Sequence, residues 1–251
     1  RKSRNHTELL FKYLKIPIKV KSNKEFDLIE VKGLQQYNAF NYSIPGDISS
    51  SAFFIVLTLL SKNSEITIQN VNINKSRIGL IIILKIMGAK ITFKNKRIYK
   101  GETTADIFVK SSKILKPINC PSSLNSFAID ELLLIFLVAG TKTKGISTFK
   151  KLGELNKKES PRLNIAIKFL RMIGIKVLRN KDDIKIYGKP NLDLKINFHV
   201  KNFLKDHRIF MMSCIAALTL GGNWKINDKD SINTSFPKFL NVLKNLGANI
   251  K

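Results

Sequence analysis

Leu84-Lys85-Ile86-Met87-Gly88-Ala89-Lys90-Ile91 decides the architecture, because the same kind of stretch is written again further along the chain. It returns as Leu170-Arg171-Met172-Ile173-Gly174-Ile175-Lys176-Val177 and as Leu243-Lys244-Asn245-Leu246-Gly247-Ala248-Asn249-Ile250. Each copy reads as the end of an apolar helix, a glycine, and a short β-rich run. The glycine fits a helix C-cap, where a left-handed residue closes the last turn without a Cβ penalty. A weaker copy, Leu14-Lys15-Ile16-Pro17-Ile18-Lys19-Val20, stands near the start, with Pro17 read in the glycine's place.

An aspartate opens another apolar segment upstream of each glycine. Asp47 stands 41 residues before Gly88, Asp130 stands 44 before Gly174, and Asp206 stands 41 before Gly247. A strand-like run lies between each pair: Glu65-Ile66-Thr67-Ile68, Gly145-Ile146-Ser147-Thr148-Phe149 and Asn223-Trp224-Lys225-Ile226. The unit therefore reads helix, strand, helix, strand, with further strands between units. Successive units open 83 and 76 residues apart, too far for the common solenoid repeats. The expectation is an α/β (α+β) protein of packed units. The first copy lacks its opening half, so the chain is expected to begin inside a repeat and to lack an N-terminal portion. Pro45-Gly46-Asp47 is a turn signal and marks the expected domain boundary.

Composition sets outer limits. The chain has 251 residues, 44 Lys and Arg against 18 Asp and Glu, and a net charge of +26. Apolar residues at 44% and charged residues at 25% suit a globular protein rather than a disordered one. Two cysteines, Cys120 and Cys214, exclude a disulfide scaffold and fit a reducing, cytoplasmic setting. There is no CxxC and no His/Cys cluster, so no metal is expected. Apolar runs fall short of the ~20 residues of a spanning helix, so no membrane association is expected. The positive charge admits an anionic substrate or nucleic acid. Scattered lysines and the absence of RNA-binding motifs favour simple compositional bias over nucleic-acid binding.

Four arginines stand where helices begin: Arg4, Arg77, Arg162 and Arg208. A cation opposes the helix dipole there unless an anion is bound as well. Guanidinium and free backbone N–H groups together make a phosphate or carboxylate site. Ser160-Pro161 reads as an N-cap and first-turn pair before Arg162. Lys157-Lys158-Glu159-Ser160-Pro161-Arg162 and Lys205-Asp206-His207-Arg208 look chemical, although a surface turn and a capping aspartate are the plain alternatives. Ile129-Asp130-Glu131 is a third candidate. An acidic pair before an apolar helix is costly to bury unless paired or functional, and its plain alternative is again an N-cap.

In these residues the chain resembles the 5-enolpyruvylshikimate-3-phosphate (EPSP) synthase family, the 3-phosphoshikimate 1-carboxyvinyltransferases. The motifs are Ser3-Arg4-Asn5-His6-Thr7-Glu8, Pro45 to Phe54 (PGDISSSAFF), Ile129-Asp130-Glu131, Lys158-Glu159-Ser160-Pro161-Arg162-Leu163, Asp206-His207-Arg208-Ile209 and Ser235-Phe236-Pro237. Together and in this order they cover nearly the whole chain, but only the C-terminal part of the family's sequence. The resemblance implies two domains of three βαβαββ units each. It places residues 1–44 at the end of the last unit of one domain. Residues 45–251 then form most of the other, in units of about 45–115, 116–190 and 191–251.

The resemblance also implies a reaction, transfer of the enolpyruvyl group of phosphoenolpyruvate to shikimate 3-phosphate, with no cofactor and no metal. Asp130 matches the base. Lys158 and Glu159 match the pair near the reacting carbons. Arg162 and Arg208 match the phosphoenolpyruvate clamps. Ser3 and Arg4 match contacts to shikimate 3-phosphate, with Asp130 and Lys158 on the same substrate. Asp206 and His207 are expected to orient Arg208, and Arg77 matches no ligand. The implied partner is the missing N-terminal half of a monomeric enzyme, with a hinge near Tyr42 to Asp47. Asn156, Pro161 and Thr234 depart from the usual family pattern. Two other readings stay open: a related transferase acting on UDP-N-acetylglucosamine, and a basic nucleic-acid-binding module.

Overall fold

The computed structural model describes residues 4–23 and 26–250, so Ser3 lies outside the described residues. The chain opens with α1 (His6–Tyr13) and the hairpin β1 (Ile18–Ser22) and β2 (Asp27–Val31). The first full unit holds α2 (Ile48–Leu60), β3 (Glu65–Asn72), α3 (Gly79–Ile86), β4 (Lys90–Tyr99) and β5 (Glu102–Lys110). The second holds α4 (Asn125–Ala128), α5 (Leu132–Thr141), β6 (Gly145–Phe149), α6 (Arg162–Met172), β7 (Val177–Asn180) and β8 (Asp183–Gly188). The third holds β9 (Asn197–Val200), α7 (His207–Leu220), β10 (Asn223–Ile226) and α8 (Phe239–Asn245).

Pairing confirms the repeat. Each unit starts with a parallel crossover around its buried helix: Gly46 with Val71, Leu115 with Thr143 and Asn119 with Thr148, and β9 with β10. In the first two units a hairpin then adds to the sheet antiparallel, giving the orders β3-β5-β4 and β6-β8-β7. These two units are therefore βαβαββ. The third is βαβα among the described residues.

The helices divide into two kinds. Every residue of α5 is buried, and α2 and α7 are buried along most of their length. Helices apolar all round cannot face water on any side. These three pack on one another in the middle of the core. By contrast α3, α6 and α8 end in the repeated glycine. Gly88, Gly174 and Gly247 take φ of +91°, +81° and +93°. Ala89, Ile175 and Ala248 N–H bond back to the carbonyls of Leu84, Leu170 and Leu243 at 2.9, 2.9 and 3.0 Å, the Schellman closure. The fourth copy is also real, but displaced from the expected register. Lys15, not Pro17, takes the left-handed position at φ +58°, and Ile16 N–H reaches Phe11 O at 2.9 Å.

The opening segment is seated on the first unit. The Lys100 ammonium, in the β4–β5 turn, lies 5.3–6.0 Å from the ring centres of Tyr13, Phe40, Tyr42 and Tyr99. Tyr99 Oη accepts from the Ser43 N–H at 3.0 Å. Cation–π attraction of this kind joins α1 and the following strap to the hairpin. No helix among the described residues is long and apolar enough to cross a membrane.

Two glycine substitutions separate backbone strain from steric overlap. Nothing lies within 4 Å of a Cβ built on Gly88, so Gly88→Ala is expected to cost only the left-handed strain, about 1–2 kcal/mol. A Cβ on Gly79 would stand 2.4 Å from the Phe127 carbonyl carbon, so Gly79→Ala is expected to cost more. Urea unfolding of both variants checks the order, and equal losses would contradict it.

Candidate active site

The three buried helices run the same way. Their C-terminal ends line one cavity, with Leu60, Thr141 and Leu220 in its wall. Their N-terminal ends are tied together by side chains. Ser49 Oγ, at the start of α2, donates to Glu131 Oε1 before α5 at 2.5 Å. Arg208 Nη1, at the start of α7, donates to the Asp130 carbonyl at 2.9 Å. Three positive helix ends thus face one place, and that place favours anions.

Asp47 and Asp206 cap their helices as the sequence suggests. Asp47 accepts from Ser49 and Ser50 N–H at 3.2 and 2.8 Å, and Asp206 accepts from Arg208 N–H at 2.9 Å. Asp130 does not cap, because its carboxylate turns into a ring of cations. Arg4 binds Oδ2, Arg77 Nη1 stands 3.4 Å from the same oxygen, and Lys158 Nζ and Arg162 Nη1 stand 3.5 and 3.8 Å from Oδ1. Burial raises the Asp130 carboxyl, but Arg208, Lys158, Arg4 and Arg77 outweigh it and hold it below its ordinary value. Asp130 is therefore ionised.

Arg162 is fully buried at the start of α6. Its Nε donates to Asp206 Oδ2 at 2.9 Å, and its Nη2 lies 2.7 Å from Glu159 Oε2. Nη1 is buried and has no hydrogen-bond partner among the described residues. A buried unpaired donor costs about 1–3 kcal/mol, a cost that an arriving oxygen would remove.

Two expectations need correction here. Ser160 does not cap α6. Pro161 occupies the cap position, and Ser160 Oγ donates to Asp206 Oδ2 at 2.7 Å instead. Asp206 fixes the guanidinium of Arg162 rather than that of Arg208, which it meets only at the main chain. Burial and the Arg208 charge push His207 below its ordinary value, which leaves the ring neutral near pH 7. Lys158 and Glu159 diverge: Lys158 faces Asp130, while the Glu159 side chain is 61% exposed and faces Arg162 from outside.

Three participants have partners that the sequence does not indicate. Arg77 was singled out by its place before α3, yet nothing gave it a partner. Its Nη2 donates to Ser49 Oγ at 2.6 Å, beside its contact with Asp130. Glu131 is 2% exposed, with Arg208 Nη1 3.7 Å away. Burial pushes its carboxyl up, against the pull of Ser49, Arg208 and Arg77. Only the cost of burying an acidic pair hinted at its role, and nothing pointed to Ser49.

Fold and site together define an α/β domain of βαβαββ units that gathers cations around one ionised carboxylate. The chain belongs to the EPSP synthase family. The family profile described as EPSP synthase (3-phosphoshikimate 1-carboxyvinyltransferase) matches residues 1–243. The chain is 40% identical to the 3-phosphoshikimate 1-carboxyvinyltransferase of Ruthia magnifica subsp. Calyptogena magnifica, over 99% of this chain and 55% of that protein. It is 38% identical to the enzyme of the same name from Staphylococcus aureus (strain COL), over 96% and 54%. An EPSP synthase structure from Acinetobacter baumannii superposes with a TM-score of 0.89 at 31% identity, over 100% of this chain and 56% of that one. The chain thus spans about half the length of the relatives it matches.

Removal of Asp206 is expected to be severe, because it strands a buried guanidinium. Asp206→Ala should lower stability by about 3–5 kcal/mol in urea unfolding. Burial raises the Asp206 carboxyl, but the hydrogen bonds from Arg162 and Ser160 hold it below its ordinary value. The folded state therefore binds fewer protons than the unfolded one. This contribution is present above about pH 4 and lost as pH falls further. Asp206→Ala should remove that part of the acid sensitivity.

Proposed function

We propose that the protein to which this chain belongs transfers the enolpyruvyl group of phosphoenolpyruvate to a hydroxyl of shikimate 3-phosphate, releasing phosphate. The observation that carries this reading is the Asp130 carboxylate set among Arg4, Arg77, Lys158 and Arg162 at three converging helix ends. Both substrates are polyanions, and the attacking hydroxyl needs a base in the same place.

In this reading Arg162 and Arg208 clamp phosphoenolpyruvate, and the free Nη1 of Arg162 becomes satisfied. Ser3 and Arg4 hold the phosphate of shikimate 3-phosphate. Lys158 and Glu159 serve proton transfer at the reacting carbons. Protonation of the methylene carbon makes the adjacent carbon electrophilic. The hydroxyl oxygen attacks it while Asp130 accepts the hydroxyl proton. The tetrahedral adduct then loses a proton from the methyl group and expels phosphate, which restores the double bond. The arriving anions also neutralise the cations that depress Asp130, so the base strengthens as the substrates bind.

The proposed division of the chain follows from the same reading. Residues 1–44 end one domain, and 45–251 form most of the other. The site faces a cleft completed by an N-terminal half, with the strap at residues 42–47 as hinge. The complete enzyme is read as a cytoplasmic monomer with small anionic substrates, without nucleic-acid or membrane partners.

The decisive assay is phosphate release from phosphoenolpyruvate by this chain mixed with a complementary N-terminal half. Release that needs both polypeptides and shikimate 3-phosphate is the expected result. No release from soluble, associated halves would sink the reading. In the same mixture Asp130→Ala is expected to abolish turnover. Arg208→Ala should weaken phosphoenolpyruvate binding about 10- to 100-fold and shikimate 3-phosphate binding far less. Equal losses would argue against a specific clamp.

A further inference from the structure

The cations around Asp130 are not equally anchored. The Arg4 side chain is 54% exposed, and Lys158 and Arg162 stand 3.5 and 3.8 Å from the carboxylate. Arg162 is more deeply buried, but its hydrogen bonds go to Asp206 and its Nη2 to Glu159, not to Asp130. Arg77 is 12% exposed and is held at two points at this end. Nη1 faces Asp130 Oδ2 at 3.4 Å and Nη2 donates to Ser49 Oγ at 2.6 Å. Its backbone is fixed as well. Arg77 N–H bonds to Asn74 O at 2.8 Å, and Asn74 Oδ1 accepts from both the N–H and the Oγ of Ser76.

These contacts continue into a closed circuit. Ser49 Oγ accepts from Arg77 and donates in turn to Glu131 Oε1. Glu131 faces Arg208 Nη1, and that nitrogen donates to the Asp130 carbonyl. The circuit thus returns to residue 130 at its backbone after leaving from its carboxylate. Its members come from the starts of α2, α5 and α7 and the turn before α3. A carboxylate's terminal torsion is broad and does not orient itself. Three charged residues and a serine are also an expensive way to fill this space, since apolar residues of similar volume would often serve stability as well or better.

We infer that Arg77 is a positioning residue for Asp130, aiming its carboxylate through the fork that it shares with Ser49. The inference rests on Asp130 being the base of the proposed reaction. In this role Arg77 touches the Asp130 carboxylate and acts on the substrate only through it. Asp130 is faced by Arg4, Arg77, Lys158, Arg162 and Arg208, with Glu131 behind it, and Asp47 Oδ1 lies 3.9 Å from Arg77 Nη2; the Arg77 variants change one member of this set, and Ser49→Ala changes only what holds that member.

The test follows the Asp130 carboxyl carbon of the ¹³C-labelled chain against pH by NMR, in wild type, Arg77→Met, Arg77→Lys and Ser49→Ala. Amide spectra report whether each variant is folded. Arg77→Met is expected to move the Asp130 midpoint upward. Arg77→Lys, which keeps the charge but loses the fork, should restore it only in part. Ser49→Ala, which frees one arm of the guanidinium, should also move it upward. An unchanged midpoint in folded Arg77→Met overturns the inference. If that variant does not fold, unchanged midpoints in Arg77→Lys and Ser49→Ala overturn it. In the two-polypeptide assay Arg77→Lys is expected to lower kcat about 10- to 100-fold, with both KM values changed less than about twofold. Wild-type kcat would likewise overturn it. Absence of phosphate release by the wild-type mixture fails the proposed reaction instead, and the titration still decides whether Arg77 governs Asp130.

Discussion

Three helices that are apolar all round can be hidden only against one another, and the molecule is arranged around that constraint. One such helix comes from each unit, and the parallel crossovers force all three to run in the same direction. Their N-terminal ends therefore meet. Nothing in the helices themselves demands a binding site, but their packing leaves unsatisfied N–H groups and a positive field at one end of the core. Every polar residue brought to that end has to answer to that field.

Polar side chains at the meeting point answer in two ways. Carboxylates settle against helix ends and guanidinium groups: Asp47 and Asp206 as caps, Asp206 again on Arg162, and Glu131 behind Ser49. The cations are placed against the field, and a fold selected for stability alone would not place them there. Arg162 shows the tension most clearly. It is wholly buried and well paired through Nε and Nη2, yet its third donor has no hydrogen-bond partner among the described residues. A buried pair of this kind is weak evidence for stability, because burying both charges costs about as much as their attraction returns. The arrangement makes better sense as a receptor for oxygen atoms than as a brace.

What the sequence made legible was whatever repeats or acts locally. The glycine caps, the capping aspartates at 47 and 206, and the unit lengths all follow from short-range rules. Even the degenerate first copy keeps its closure, although lysine stands in glycine's place and the left-handed residue lies two positions before Pro17. Asp130 broke the local rule: it occupies the repeat position of a cap but serves a neighbour in space. Arg77, Ser49 and Glu131 were hidden for the same reason, since their contacts span 28, 53 and 82 positions and no local pattern encodes them. The Lys100 aromatic cage is likewise assembled from three segments, α1, the strap and its own hairpin, and nothing in its turn sequence announces it.

The net charge of +26 proved a poor guide, but the choice between the two basic residues was a good one. The chain holds eight arginines among its 44 basic residues, and four of them, Arg4, Arg77, Arg162 and Arg208, stand at this site. Lysine serves for solubility, being compact and strongly hydrated. Arginine is needed where several oxygens must be held in fixed directions and where the charge must survive burial. A site of this kind also couples binding to proton affinity. The guanidinium groups meanwhile lean on Asp130 and keep it ionised. Anions that draw those charges away return proton affinity to the carboxylate. In the proposed reaction each cation is thus both a clamp for ligand and a restraint on the base, and the two roles exchange as the site fills.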